Sequence, residues 1–133
     1  MTKILKKILV VDDSSLDRKR MIEAIRNVQI THEILQANNG EEALAVLAKN
    51  YQEIGLILLD WQMPRMDGLE FMKGVIKVPQ TASIPIVMVT ASGSQEAQDC
   101  ARDVNPNLAG YIIKPYDPAD LISTISSHLK SFL

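Results

Sequence analysis

The sequence predicts an α/β fold, a three-layer sandwich with a parallel sheet between two layers of helices, and three observations carry that reading. Apolar runs alternate with amphipathic stretches along the chain, which is the pattern of repeated βα units. The clearest run, Leu56-Ile57-Leu58-Leu59, is apolar at consecutive positions, as a parallel strand covered on both faces should be. Four of the runs also end in a chemically useful residue: Ile8-Leu9-Val10-Val11 in Asp12-Asp13, the central run in Asp60, Ile86-Val87-Met88-Val89 in Thr90, and Tyr111-Ile112-Ile113 in Lys114.

Each element follows in order. After the first run, Ser14 or Ser15 can cap a helix whose apolar positions Leu16, Ile22, Ile25 and Val28 have helical spacing. A weaker strand over residues 33–37 leads through Asn38-Asn39-Gly40 to a helix with Ala43, Leu44 and Leu47 inward. The third strand ends at Asp60, and Pro64 and Gly68 shape a turn before a helix carrying Leu69, Phe71, Met72 and Val75. Pro79 and Pro85 bracket a loop before the fourth strand, and Ser92-Gly93-Ser94 then enters a more polar helix over about residues 95–103. The last unit begins at Gly110, and its helix is announced by Asp117 as cap, Pro118 in the first helical position and Asp120 in the first turn. Leu121, Ile122, Ile125 and Leu129 supply its buried stripe.

Composition narrows the class. A chain of 133 residues is the size of one ordinary domain, and 47% hydrophobic content with few aromatics describes an aliphatic core rather than disorder. A formal net charge of −2 argues against direct nucleic-acid binding as the main activity. Cys100 is the single cysteine, so no internal disulfide forms and a reducing, cytoplasmic setting is expected. The amino-terminal stretch Met1-Thr2-Lys3-Ile4-Leu5-Lys6-Lys7 lacks the apolar core of a secretion signal, and no run approaches the length of a membrane span. No repeat, low-complexity segment or linker divides the chain, so residues 1–133 are expected to form one domain with its core at about 6–129.

In open α/β sheets the ligand site lies beyond the carboxyl ends of the strands. Parallel strands in one sheet would therefore gather Asp12, Asp13, Asp60, Thr90 and Lys114 at one edge. Each residue alone has an ordinary reading: Asp12 or Asp13 as a turn or cap, Thr90 as a strand-end residue, Lys114 before Pro115 as a solvated loop charge. Their weight comes from convergence. Two carboxylates about 4 Å apart repel by roughly 4 kcal/mol at an effective dielectric near 20, so three together call for a cation. Magnesium fits best, being hard, oxygen-seeking and suited to bridging carboxylates and phosphate oxygens. Asp60 can then act as a nucleophile and form an aspartyl phosphate, with Lys114 neutralising phosphoryl charge and the Thr90 hydroxyl bonding one phosphoryl oxygen. Asp67 before Gly68 is expected to be a turn or cap residue, and His32 and His128 to lie at the surface.

The segments Val10-Val11-Asp12-Asp13-Ser14, Leu59-Asp60-Trp61-Gln62-Met63-Pro64-Arg65-Met66-Asp67-Gly68, Val89-Thr90-Ala91 and Ile113-Lys114-Pro115 together closely resemble the receiver domain of two-component response regulators, over about residues 6–129. The chain is similar to the family's single-domain chemotaxis regulator, and it is expected to be either such a single-domain regulator or a receiver cut from a longer protein. The resemblance implies a flavodoxin-like sheet of strand order 2-1-3-4-5 with five helices. It implies phosphorylation of Asp60 by a histidine kinase or histidine phosphotransfer protein, with Mg2+ held by Asp12, Asp13, Asp60 and the backbone carbonyl of Gln62. Thr90 and Tyr111 would be the switch pair, small Ala91 would leave room for ring movement, and Lys114-Pro115 would be the family's cis peptide. A signalling domain of this kind is not an enzyme in the usual sense, although it promotes its own phosphoryl transfer and dephosphorylation. Its output passes to a downstream protein target or an output domain, with no membrane insertion. Gln62 and Ser92 stand at positions that vary in the family and tune phosphoryl lifetime.

Readings from other classes fit less well. A phosphohydrolase of the haloacid dehalogenase type needs an acid-base Asp two residues after its nucleophile, where Gln62 stands. A flavodoxin-like electron carrier would share the fold, but Asp12-Asp13 would repel a flavin phosphate where a Ser-, Thr- and Gly-rich loop belongs. A receiver used as an unphosphorylated scaffold need not retain the whole set of site residues.

Overall fold

The computed structural model describes residues 5–129. Residues 1–4 and 130–133, which include Met1 to Ile4 of the amino-terminal stretch and both ends of the expected domain span, lie outside the described residues. Strands and helices alternate without exception: β1 (Lys7–Val11), α1 (Ser15–Asn27), β2 (Ile34–Ala37), α2 (Gly40–Asn50), β3 (Ile54–Leu59), α3 (Gly68–Lys77), β4 (Ile86–Thr90), α4 (Gln95–Val104), β5 (Gly110–Ile113) and α5 (Pro118–Leu129). The strands form one parallel sheet in the order β2-β1-β3-β4-β5.

The period-2 alternation of side chains divides the sheet into two aliphatic faces. Leu9, Val11, Ile57, Leu59, Ile86 and Met88 turn to the face covered by α2, α3 and α4. Ile8, Val10, Leu56, Leu58, Val87 and Val89 turn to the face covered by α1 and α5. All six residues of β3 are buried, which is why that run carries no polar position to mark a solvent side.

Register brings the strand ends together. Val11 stands opposite Leu59, Leu59 opposite Met88 and Thr90 opposite Ile113, so the residues just beyond β1, β3 and β5 and the last residue of β4 share one edge. The helices start from this edge with side-chain caps. Ser14 accepts from Asp17 N, Asn39 from Glu42 N and Ser94 from Ala97 N. Asp67 and Glu70 close a reciprocal capping box on α3, and the Asp117 side chain accepts from Ala119 N at the start of α5.

Several expectations for side-chain placement need correction. Of the helically spaced apolar positions of α1, Ile25 is buried together with Met21 and Ala24, whereas Leu16 and Val28 are 54% and 49% exposed. Val28 is the C-cap, where the backbone has left helical geometry, so its spacing no longer sets its direction. Leu44, Leu69 and Ile122, by contrast, pack against the core as partly buried neighbours of Ala43 and Leu47, Phe71 and Met72, and Leu121 and Ile125. The second strand begins one residue later than expected, at Ile34. His32, expected at the surface, is buried, and its burial, with the Arg26 charge second, holds the imidazole below the ordinary histidine range. His128 is partly buried.

A carboxylate cluster at the carboxyl edge of the sheet

Three acidic side chains meet at this edge. Asp12, Asp13 and Asp60 each offer a carboxylate oxygen, and these oxygens all lie within 4.8 Å of one another. Asp12 follows β1 and is 0% exposed, whereas Asp13 next to it is open to solvent. Asp60 follows β3 with its side chain largely buried, and its Oδ1 accepts from the Trp61 N–H at 2.7 Å. Gly68 fixes this loop. Its N–H donates to the Trp61 carbonyl at 2.7 Å, and a Cβ there would stand 2.0 Å from the Asp60 carbonyl oxygen, so only glycine lets α3 begin this close to Asp60. Arg65 completes the turn in left-handed backbone, at φ 67°. Gln62 lies exposed in the same loop.

Lys114 reaches the cluster from beyond β5. Its Nζ stands 2.5 Å from Asp12 Oδ2, 2.8 Å from Asp17 Oδ2 and 3.4 Å from Asp60 Oδ2. Burial alone would push the ammonium toward neutrality, but its hydrogen bonds to Asp12 and Asp17 outweigh burial and hold it charged. The same burial pushes the Asp12 carboxyl up, while Lys114 and the Ser14 N–H favour its ionised form and Asp60 opposes it. An interior pair of this kind costs solvation on both partners, and losing one partner typically costs 3–5 kcal/mol, about half a small domain's stability. The Lys114-Pro115 peptide is cis. Beside Lys114 opens a cavity of about 610 Å³, with Asp17, Arg20, Ala91, Pro115 and Tyr116 in its lining.

Thr90 and Tyr111 are linked through Ser92. The Thr90 Oγ1 accepts from the Ser92 N–H at 3.2 Å, and the Tyr111 hydroxyl donates to the Ser92 carbonyl. Tyr111 stands opposite Met88 on the face covered by α2, α3 and α4, with its ring partly buried. Burial raises its phenol above the ordinary range, with Asp60 adding to the shift. Asp67 stays out of the cluster, as the cap of α3.

Two side chains at this edge were missed from sequence. Asp17 bonds Lys114, and Arg18 donates to the Asp12 carbonyl at 2.5 Å and to the Gln36 side chain at 3.0 Å. A signal was available: the true stripe of Met21, Ala24 and Ile25, extended back one helical turn, lands on Asp17 and Arg18. Charged residues on the inward stripe, at the end of the helix nearest the sheet's ligand edge, point to the site.

The profile of the response regulator receiver domain matches residues 8–126, and the chain belongs to that family. It is a phosphoacceptor domain of two-component signalling, of the type found in single-domain chemotaxis regulators. It is 36% identical over 113 residues to a chemotaxis protein CheY homolog of Campylobacter jejuni, covering 84% of this chain and 83% of that one. Among solved structures it resembles the chemotaxis response regulator CheY4 of Vibrio cholerae, with a TM-score of 0.81 and 32% identity over 94% of this chain and 99% of that one. It also resembles the phosphorylated cyanobacterial phytochrome response regulator RcpA, with a TM-score of 0.79 and 27% identity over 96% of this chain and 94% of that one.

Proposed function

We propose that Asp60 is the residue that accepts the phosphoryl group. The observation that carries this reading is the meeting of the Asp12, Asp13 and Asp60 oxygens within 4.8 Å with the Lys114 ammonium on two of them. The relative solved in phosphorylated form shares this fold across nearly the whole chain. Asp60 is the member of the cluster placed for transfer: it closes the central strand, its Oδ1 is pinned by a backbone N–H and its Oδ2 faces Lys114.

The cluster suits a magnesium ion, since every side-chain donor is a carboxylate oxygen and the three charges lie too close to coexist cheaply without a cation. Asp12, Asp13 and Asp60, with the Gln62 carbonyl, would hold it, and when bound it supplies charge neutralisation on the phosphoryl oxygens. The chain's own residues do the rest. Asp60 presents the nucleophilic carboxylate. Lys114 keeps its proton and offers the ammonium to the phosphoryl oxygens. Thr90 exchanges its bond to the Ser92 N–H for one to a phosphoryl oxygen, and Tyr111, hung on the same Ser92, follows with its ring, Ala91 being small enough to let it pass. The differential interaction of the phosphoryl group with two arrangements of this loop is what shifts the population between them.

The phosphoryl donor is a histidine kinase or histidine phosphotransfer protein, and the output is a downstream protein or output domain reading the face built by α4, β5 and α5. The same residues serve the domain's own phosphoryl transfer and dephosphorylation. Residues 1–133 act as one receiver domain, working in the cytoplasm. No helix among the described residues is long and apolar enough to cross a membrane, and Cys100 is a free, exposed thiol.

Incubation with a small acyl phosphate and magnesium should add one phosphoryl mass, and chelation of the metal should suppress it. Asp60→Asn should abolish the adduct. Undiminished labelling of that variant would move the phosphoacceptor elsewhere.

A further inference from the structure

Lys114 serves three carboxylates, and one of them has no part in the metal cluster. Asp17 lies outside the group whose oxygens converge for a cation, yet its Oδ2 is 2.8 Å from Lys114 Nζ, closer than Asp60 at 3.4 Å. It is the third residue of α1, counted from the Ser14 cap, and its side chain is 32% exposed. Helix polarity alone favours an acid in a first turn. That explains the residue type and leaves the contact with Lys114, made across 97 positions of sequence, to be explained.

An ammonium has three donors and one charge. Before phosphorylation, Asp12, Asp17 and Asp60 share it. Binding of a cation by Asp12, Asp13 and Asp60 would leave Asp17, which is no part of that group, still paired with Lys114. Transfer of the phosphoryl group then asks Lys114 to face the oxygens around phosphorus. With a small acyl phosphate as donor, an Asp60 carboxylate oxygen forms a bond to phosphorus while the bond from phosphorus to the acyl oxygen breaks, its electron pair leaving on the released carboxylate. No proton is exchanged. Negative charge on the phosphoryl oxygens must be met by Lys114, and a carboxylate already paired with that ammonium competes for it.

We propose that Asp17 is a positioning residue that holds Lys114 toward α1 in the unphosphorylated protein and thereby slows phosphorylation of Asp60. The inference rests on the assignment of Asp60 as phosphoacceptor. Asp17 acts as a brake through Lys114 and touches no reacting atom. Its partial exposure gives the pair the modest weight of a screened ion pair, so the brake tunes the rate without blocking transfer.

The test compares rates of phosphorylation by an acyl phosphate in the full chain with magnesium. Asp17→Asn keeps the shape and the backbone bond to Ser14 and removes the charge. It should accelerate phosphorylation about two- to fivefold, the range expected of a part-exposed ion pair. Asp17→Ala should act in the same direction. In a Lys114→Ala background the Asp17→Asn change should be silent, because the brake works only through that ammonium. The Lys114 Nζ nitrogen resonance, read on Asp17→Asn alone without any donor, should shift as the ammonium loses a partner, a readout that needs neither the double variant nor activity. An unchanged or slower rate, an equal acceleration without Lys114, or an unmoved Nζ resonance overturns the inference. If the unsubstituted protein takes no phosphoryl group, or Asp60→Asn still takes one, the assignment of Asp60 fails and this inference falls with it. Normal labelling at Asp60 with a neutral Asp17→Asn sinks this inference alone.

Discussion

Helices α3 and α4 lie on the same face of the sheet and each has 10 residues, yet they are held in different ways. The first buries Phe71, Met72 and Val75, while the second buries Ala101 alone. Both have an N-cap, and helix propensity does little to separate them, so the difference lies in apolar area removed from water. A fully buried Phe is worth roughly 1.5–3 kcal/mol and an Ala much less. The helix that follows Asp60 is thus anchored, and the helix that follows Thr90 is lightly attached. The proposed function would use that division, with the loop that carries Asp60 held still and the segment after Thr90 free to respond, since mobile segments come from the weakly held parts of a fold.

The largest expected effect tests the anchoring directly. Phe71→Ala should cost about 3–5 kcal/mol of unfolding free energy, as large-to-small changes at fully buried aromatics do. Ala101→Gly should cost about 1 kcal/mol, mostly in helix propensity. Chemical denaturation of both variants measures the gap. Equal losses would show that α4 is bound as firmly as α3.

The glycines at the entrances to the two helices, Gly68 as the first residue of α3 and Gly93 in the loop before α4, sharpen the contrast. A Cβ on Gly68 would meet the backbone oxygen of Asp60 at 2.0 Å, and backbone cannot swing aside. Gly68→Ala should therefore cost about 1–3 kcal/mol as an overpacked site, and by displacing the Asp60 loop it should slow phosphorylation. A Cβ on Gly93 would meet Ile113 Cγ2 at 2.9 Å, but that side chain is 42% exposed and has room to turn. Gly93→Ala should change stability by less than about 1 kcal/mol, within the range of surface substitutions away from special features. A larger loss at Gly93 than at Gly68 would reverse the assignment of rigid and yielding sides.

The two sides also differ in how far the sequence discloses them. The fold is legible because short consecutive apolar runs alternating with amphipathic stretches fit buried parallel strands, and strands that share a direction put Asp12, Asp60, Thr90 and Lys114 on one edge. The cap role of Asp67 was legible because the residue stands directly before Gly68, where a helix begins. Phase was harder. Of the helically spaced apolar positions Leu16, Ile22, Ile25 and Val28, only Ile25 is fully buried, and the spacing alone does not lead to Asp17 and Arg18, which continue the stripe of Met21, Ala24 and Ile25 into the site. His32 was misplaced for another reason: a lone histidine outside any metal-ligand spacing carries no local signal of burial. The order of the strands came with the family resemblance, since nothing in the runs themselves says which neighbours pair. The Ser92 link was hidden because it uses backbone atoms, which any residue would supply.

That link gives the smallest and most local prediction. Tyr111 donates to the Ser92 carbonyl, and Ser92 lies in the loop that leads through Gly93 and the Ser94 cap into α4. Tyr111→Phe keeps the ring and its packing beside Met88 and removes only the hydroxyl. The loss should be about 0.5–1.5 kcal/mol, the net worth of one hydrogen bond, because the freed carbonyl lies at a loop that water can reach. Its location matters more than its size. With one fewer tie, α4 should open more often, and amide exchange over Gln95–Val104 should quicken while exchange over Gly68–Lys77 stays as it was. The phosphorylated protein should show the clearer difference, since the proposed movement of Thr90 removes the other bond to Ser92 and leaves Tyr111 to hold the loop. Exchange that rises equally in both helices would mean that Tyr111 supports the whole face, and that α4 owes its attachment to something other than Ala101 and this one hydroxyl.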